Sequence, residues 1–382
     1  MTKIYIYNPE SNGGAYRGAG RIVQILKENL ISSHPESTSR QNERSNANEI
    51  QFISDLHQVN YDSTLFILSW QPFQPPRLFQ PFAMHQILMI YDVIPLKYSS
   101  HFPIGIKGTI NLWRNKRVLK HFDKIITISE HSKKDIARYL NVSGEKIVVI
   151  YPALSKIFTS SVIARIRQPT EMKQSQANKN KIAAPSARND KHSALYPLPS
   201  NFCLYVGDVN WNKNLVNLAK AIKKTDLPCV FVGKPFDSSK INSLQLNHPW
   251  MAEFKQFLEE VDNDKRFIFL GYVEDRELVE LYQKAVCNVL VSCDEGFGYS
   301  YAEAASQKCP SVLSNTDIFH ETAGNTALFA NPDNPDDIAE KIMELSTNEK
   351  KRNDLGKKAY ENVIKMYSPD TFTRQLESIF VE

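Results

Sequence analysis

Metal-binding and redox signatures are missing from this chain. Its five cysteines, Cys203, Cys229, Cys287, Cys293 and Cys309, all fall in the C-terminal half, and none forms a C-x-x-C pair. Most sit in apolar, strand-like runs, so buried free thiols are expected rather than disulfides or zinc. The nine histidines show no H-E-x-x-H or related spacing, which argues against a structural metal centre. Long hydrophobic runs are missing too: nothing approaches the ~18 apolar residues that a membrane span needs. The opening residues, Met1-Thr2-Lys3-Ile4-Tyr5-Ile6-Tyr7, alternate like a strand and carry no signal-peptide cleavage pattern, so a cytoplasmic chain is expected. A large charge excess is also lacking. The net charge is +4, and basic residues are not interleaved with aromatic ones, so nucleic acid is not an expected partner.

Charge is nonetheless unevenly spread. Between Lys97 and Lys146 there are eleven Lys/Arg against four Asp/Glu, and Lys116, Arg117, Lys120 and Lys124 recur at helical spacing. Two readings stand: a solvated helix face, or a patch that leans on anionic lipid head groups, each cation contributing roughly 1 kcal/mol. The second makes peripheral contact with the inner face of a plasma membrane an expectation.

At 382 residues the chain is long enough for two domains, each with its own core. Strand-like runs recur at 4–7, 65–68, 87–90, 125–128 and 147–150, separated by a glycine-bearing loop at 12–21 and by helical segments that include 110–121 and 132–140. A first helix is marked by Ile22, Ile25, Leu26 and Leu30, and the polar stretch from Ser32 to Asn48 reads as a surface loop. From Ser160 to Asn201 the composition shifts to Lys, Gln, Asn, Ser and Pro without periodicity, a linker or insertion. The pattern then repeats, with strands at 202–206, 229–232, 267–269, 286–291 and 311–314, and ends in consecutive helices at 335–345, 350–366 and 370–380. Strands that are apolar throughout, alternating with helices, indicate parallel sheets covered on both faces. The expected organisation is an N-terminal unit at 1–159, a polar linker at 160–200 and a C-terminal unit at 201–367, with the terminal helix, 368–382, packing back on the first unit. Ligands of such α/β sheets sit at the carboxyl ends of the strands.

Two segments at such ends carry chemistry. In Glu295-Gly296-Phe297-Gly298-Tyr299-Ser300-Tyr301-Ala302-Glu303, two carboxylates eight positions apart bracket a glycine pair between an apolar run and a helix. Carboxylates accept from paired sugar or ribose hydroxyls, while glycine backbone and a helix start offer N–H groups to a diphosphate. In Val206-Gly207-Asp208-Val209-Asn210-Trp211-Asn212-Lys213, a lysine follows a strand and a glycine turn. Lys213 is either a solvated residue opening a helix or a point charge for phosphate oxygens. Both Glu295 and Lys213 are expected on exposed loop ends.

The order of these segments, with Leu270-Gly271-Tyr272-Val273 and Asp275-x-Glu277-Leu278-x-x-Leu281-Tyr282-x-x-Ala285 between them, resembles family 4 glycosyltransferases. Ile126–Ser132, Ile147–Pro152, Pro310–Asn315 and Glu321-Thr322-Ala323-Gly324 extend the likeness over most of the chain outside its polar stretches. The resemblance implies the GT-B fold, two Rossmann-like domains facing a cleft, and a retaining, metal-independent hexosyltransferase. It implies that Glu295 contacts donor sugar hydroxyls, that Gly296, Phe297 and Gly298 offer backbone contacts, and that Glu303 accepts the ribose hydroxyls. Lys213 would stabilise the leaving phosphate beyond Gly207, the main chain around Val273 would meet the base, and Gly18 and Gly20 would close over the diphosphate from the other domain. Asp92, in Ile90-Tyr91-Asp92-Val93-Ile94-Pro95-Leu96, resembles the aspartate of a family His-Asp pair; an acceptor-side role and a turn acceptor are its two readings. The same run most resembles mannosyl- and rhamnosyltransferases of surface polysaccharides, which makes GDP-mannose the expected donor and a glycan or lipid-linked oligosaccharide the acceptor. No cofactor is expected.

The chain departs from the family pattern at four places. Asp208 and Asn212 stand where an arginine commonly flanks the phosphates, Tyr91 replaces histidine, and Ser300 replaces a proline. The lost cation motivates an alternative: a degenerate GT-B protein that binds a nucleotide sugar or a partner enzyme without turnover.

Overall fold

Apolar runs that need cover on both faces form two parallel sheets in the computed structural model, which describes residues 3–8, 17–33, 49–76, 80–159, 198–239, 241 and 244–381. Residues 160–197 of the expected linker and 34–48 of the expected surface loop lie outside the described residues.

The first sheet comprises β1 (Lys3–Tyr7), β2 (Glu49–Ile53), β3 (Thr64–Ile67), β4 (His85–Met89), β5 (Lys124–Thr127) and β6 (Ile147–Val149). Their spatial order is β2-β1-β3-β4-β5-β6, all parallel. The second comprises β7 (Cys203–Val206), β8 (Cys229–Val232), β9 (Phe267–Gly271), β10 (Cys287–Leu290), β11 (Ser311–Ser314) and β12 (Leu328–Ala330), in the order β12-β11-β10-β7-β8-β9. Again all pairs are parallel. The chain winds outward in opposite directions from β7 and from β10, so the loops leaving these adjacent strands diverge. A crevice opens there for geometric reasons, and both chemically informative segments leave from it.

The helices form where sequence pattern and caps agree. Glu130–Leu140 begins at Ser129, whose side chain accepts from Ser132 N at 2.9 Å, and ends at left-handed Asn141. Asp275–Lys284 begins with a capping box between Glu274 and Glu277. The terminal helix, Pro369–Val381, packs against the helix Arg17–Ser33. Its Leu376 and Phe380 are buried, and the Phe380 ring meets that of Phe66 of β3 edge-on with centroids 5.7 Å apart. Burying two such side chains contributes roughly 1.5–3 kcal/mol each, which returns the end of the chain to the first sheet.

Several boundaries differ from the sequence expectation. The helix Arg17–Ser33 takes in Gly18 and Gly20, expected in a loop, because its stripe of Ile22, Ile25 and Leu26 is buried as one face. β2, β12 and the short helices Ile94–Lys97 and Asp317–Ala323 join the elements read from the sequence. Four of the five cysteines are buried and Cys293 is partly so; all five are free thiols.

Candidate active site

The loop after β7 runs through Gly207 and Asp208 into a single turn of 3₁₀ helix, Trp211–Lys213. Left-handed Asn214 (φ 57°) then redirects the chain into the helix Leu215–Lys223. The loop after β10 is tied to it directly. Asn212 Nδ2 donates to the Asp294 carbonyl at 2.9 Å, and Cys293 N donates to the Asn212 carbonyl at 2.8 Å. Asn214 Nδ2 donates to the Val291 carbonyl at 2.9 Å. These bonds fix Lys213 against Glu295. The Lys213 Nζ lies 2.6 Å from Glu295 Oε1, which also accepts from Ser292 Oγ at 2.7 Å. Neither side chain sits on an exposed loop end, contrary to the sequence expectation: 17% of Lys213 and 10% of Glu295 are exposed. Loss of solvent works to lower the Lys213 ammonium, but the Glu295 charge and hydrogen bond hold it above its ordinary value.

The two residues line a cavity of about 400 Å³ between the halves of the molecule. Gly207, Gly296, Phe297, Gly298, Glu303 and Asp92 share its wall. Gly298, at φ +84°, precedes the helix Tyr299–Ser306 and aims the first turn of that helix at the cavity. A Cβ on Gly298 would meet Phe319 at 2.6 Å, so only glycine fits. Gly20 and Val273 are not among the described residues that line the cavity. Gly18 and Gly20 lie in the first turn of their helix, where its residue Ile22 makes the wall; the Val273 side chain turns into the core, and its neighbour Tyr272 faces the cavity.

Asp92 makes the turn contact that one of its two sequence readings expects. Its Oδ1 accepts from Ile94 N at 3.0 Å, closing a turn ahead of the helix Ile94–Lys97. It also lines the 400 Å³ cavity and an adjoining cavity of about 740 Å³, whose wall includes Trp70, Phe73, Gln74 and Trp250. Desolvation pushes its carboxyl above the ordinary value, against the Ile94 N–H and the Lys213 charge that pull it down.

Asn212 and Asp208, the positions without the family's arginine, have separate roles. Asn212 is 4% exposed and absorbed in cross-loop bonds, so a charge there would have no route to the cavity without breaking them. Asp208 is exposed on the rim. A second cation does reach the wall: Lys234, from the loop after β8. The signal for it was present as Val232-Gly233-Lys234, the same strand–glycine–lysine order that marked Lys213. Gly233 lets this loop approach closely, since a Cβ there would come 2.1 Å from the Gly207 carbonyl oxygen. Ser300, in place of proline, is 8% exposed on the wall, and its hydroxyl has no hydrogen-bond partner among the described residues.

Contacts across the cleft were invisible to sequence reading. Arg21 Nε donates to Glu303 Oε1 at 3.0 Å, its other nitrogens engage Asp275, and Tyr282 Oη donates to Glu303 Oε2 at 3.2 Å. Ser129 Oγ donates to the Gly296 carbonyl at 2.7 Å and Ser132 Oγ to the same oxygen at 3.3 Å. The Glu321 carboxylate accepts from Glu130 N and His131 N at 2.7 and 2.9 Å, an acidic cap supplied by the other half of the chain. Asp294 is held by Lys97 at 2.7 Å and by His131 Nε2 at 2.9 Å. Donor atoms of His131, Asp135 and Asp294 lie within 4.8 Å of one another, close enough to share a cation. The Lys97 ammonium fills that role, 2.8 Å from Asp135 and 2.7 Å from Asp294.

With this geometry in place, comparison with known proteins shows what the chain resembles. Residues 187–362 match the family model described as glycosyl transferases group 1. The C-terminal half of the chain is thus similar to that family. Over the whole length the fold is GT-B: the chain superposes on sucrose-phosphate synthase from Thermosynechococcus elongatus with a TM-score of 0.68 at 14% identity, covering 100% of this chain and 98% of that one. It also matches Anabaena Alr3699/HepE in complex with UDP-glucose, with a TM-score of 0.61 at 14% identity over 98% of each chain. Among curated proteins it is 26% identical over 254 residues to the O-antigen chain mannosyltransferase RfbU of Salmonella typhimurium, 66% of this chain and 58% of that one. It is 26% identical over 220 residues to the O-antigen chain mannosyltransferase B of Escherichia coli, 58% and 50% of the two chains. The chain thus spans about half the length of the curated relatives it matches.

Proposed function

We propose that this protein is a retaining glycosyltransferase that moves a sugar, with GDP-mannose the preferred donor, to a glycan or lipid-linked acceptor in surface polysaccharide synthesis. The observation that carries this reading is the Lys213–Glu295 pair on the wall of a cavity at the switch point of the second sheet. Mannose is favoured because the O-antigen relatives are named mannosyltransferases. A nucleotide-sugar donor is favoured because a structural neighbour holds UDP-glucose.

In this reading the donor diphosphate lies between Lys213, Lys234 and the start of the helix Tyr299–Ser306. The Ser300 hydroxyl gives it one further donor, Glu303 takes the ribose hydroxyls, and Glu295 takes sugar hydroxyls beside the anomeric carbon. The bond from that carbon to the phosphate oxygen breaks as the bond to the acceptor oxygen forms on the same face. The acceptor proton passes to the departing phosphate oxygen, so configuration is retained without a covalent enzyme intermediate. Two lysines and oriented backbone N–H groups stabilise the leaving charge, the task a metal ion performs elsewhere. Asp92, which borders both cavities, faces the acceptor hydroxyl.

The test is a panel of GDP-, UDP- and dTDP-sugars incubated with purified protein and a lipid-linked acceptor. Acceptor-dependent release of GDP with an α-linked product is the expected result. Tight donor binding in calorimetry with no release under any acceptor would instead support a non-catalytic binder.

A further inference from the structure

The helix Gly105–Val118 is two-faced in an uncommon way. Its inner side packs Val118 against the core and carries two occupied asparagines: Asn111 Nδ2 donates to the Phe73 carbonyl at 2.9 Å, and Asn115 Nδ2 to the carbonyls of Pro72 and Gln74 at 3.1 and 2.8 Å. Its outer side presents Ile106, Trp113 and Ile110, which are 81%, 52% and 45% exposed. At about 100° per residue these three fall within a stripe roughly 60° wide. Cations border the stripe on both flanks, Lys107 and Arg114 on one side and Lys116 and Lys120 on the other. Arg117 closes its end, its guanidinium 3.5 Å from the centre of the Trp113 ring. No acidic residue occurs from Gly105 to Lys120.

An apolar stripe on a helix of a water-facing surface is normally a cost, and here it is built of large side chains while the buried side of the same helix carries asparagines. Interfacial helices have this distribution: apolar side chains enter the head-group region while lysines and arginines reach anionic lipid. No helix among the described residues is long and apolar enough to cross a membrane, so any attachment through this surface is peripheral.

We propose that the outer face of Gly105–Val118 is a docking surface for an anionic lipid bilayer, with Ile106, Ile110 and Trp113 entering the interface and Lys107, Arg114, Lys116, Arg117 and Lys120 meeting lipid phosphate. The asparagines on the inner face hold the segment 72–74, which lines the 740 Å³ cavity beside Asp92. The helix therefore ties the bilayer to the wall of that cavity. Resting on the transferase reading above, this selects a lipid-anchored acceptor over a free glycan.

The experiment is co-sedimentation of the full chain with phosphatidylcholine vesicles, with and without phosphatidylglycerol, at low and high salt. Binding is expected only with phosphatidylglycerol present, and salt should weaken it. The variant I106S/I110S/W113S should lose it. K107Q/R114Q should weaken it by about fivefold per charge. Both variants should keep wild-type transfer to a water-soluble acceptor, which reads docking apart from catalysis. Equal binding to neutral vesicles, no binding at all, or binding unchanged in the triple variant would each overturn the proposal. So would a change of oligomeric state in that variant without a change in vesicle binding, since it would make the face a contact between copies.

Discussion

Arg21 Nε lies 3.0 Å from Glu303 Oε1, joining a helix of the first half of the molecule to the carboxylate assigned to the donor ribose. Both residues are almost fully buried, at 5% and 2% exposure. Burial works to lower the guanidinium, but Glu303 and Asp275 hold it above its ordinary value, so Arg21 stays charged. Each oxygen of Glu303 retains a second lone pair for a ribose hydroxyl. If Glu303 takes the ribose as proposed, donor affinity and the approach of the two halves are linked through one side chain.

Removing Arg21 leaves a buried carboxylate without its cation. Arg21→Ala is expected to cost on the order of 3–5 kcal/mol of stability, the range for breaking a buried ion pair. Urea unfolding of Arg21→Ala, Glu303→Gln and the double variant measures the coupling. Losses that simply add, to within about 0.5 kcal/mol, would mean that the two side chains do not support each other.

For Lys213 and Glu295 the expectation concerns rate. Lys213→Ala and Glu295→Gln should each lower transfer by about a hundredfold or more, since one preorganised polar contact contributes roughly 3 kcal/mol in the transition state. Glu295→Gln keeps the shape and most of the stability, which separates the chemical role from the structural one. A wild-type rate in that variant, with circular dichroism unchanged, would place the chemistry elsewhere.

Lys234 is the second cation on the wall, and it is exposed. Lys234→Ala should weaken binding of free nucleoside diphosphate by about fivefold, roughly 1 kcal/mol for a solvent-screened contact. Titration calorimetry measures this. A nucleoside lacking phosphates should show no difference between the two proteins, and a difference there would remove Lys234 from phosphate recognition.

His131 should make the stability of the protein depend on pH, through its contact with Asp294. Its hydrogen bond to Asp294 is the largest influence on it and outweighs burial, raising its pKa above the ordinary 6.5. Asp135 reinforces the shift and the Lys97 ammonium opposes it. A histidine whose folded pKa is raised contributes stability that is complete below its unfolded pKa and is lost as pH rises through the folded value. Wild type should therefore exceed His131→Gln in unfolding free energy at about pH 5.5, with the margin shrinking by about pH 9. A margin that stays constant across that range would show that the imidazole does not titrate in the pair.

Gly298→Ala tests the turn at the foot of the helix Tyr299–Ser306. Left-handed backbone and a contact of 2.6 Å with Phe319 would cost about 1–3 kcal/mol together. Donor affinity should fall as well, because relief requires the loop to shift away from the cavity. Thermal denaturation and nucleotide titration on the same sample measure both.

Much of the fold was legible because strands covered on both faces read as near-continuous apolar runs, as in Ile125–Ile128 and Val286–Val291, each interrupted by one polar residue. β2 was not, since Glu49-Ile50-Gln51-Phe52-Ile53 is half-exposed at a sheet edge, and neither was β12, only three residues long. At the site, Lys213, Glu295 and Glu303 could be singled out because each lies next to a glycine turn or helix start that a local motif reveals. Arg21 with Glu303 could not, because those residues are 282 positions apart and meet only through the docking of two sheets. The exposure of Glu295 and Lys213 was misjudged for a related reason. Loop ends are open when a sheet is considered alone, and here the loop carrying Asp92 closes over them.

Ser129 and Ser132 reach out of the first half to hold the carbonyl of Gly296, so the glycine loop of the second half is partly shaped by the first. The two halves are not interchangeable cartridges. A chimera that kept this C-terminal half and borrowed an N-terminal half from a relative would lose a hydrogen-bond donor to Gly296 wherever the replacement lacked a hydroxyl at either serine. New acceptor specificity grafted in this way would have to carry Ser129, Ser132 and Arg21 with it, or else relax the donor loop it was meant to preserve.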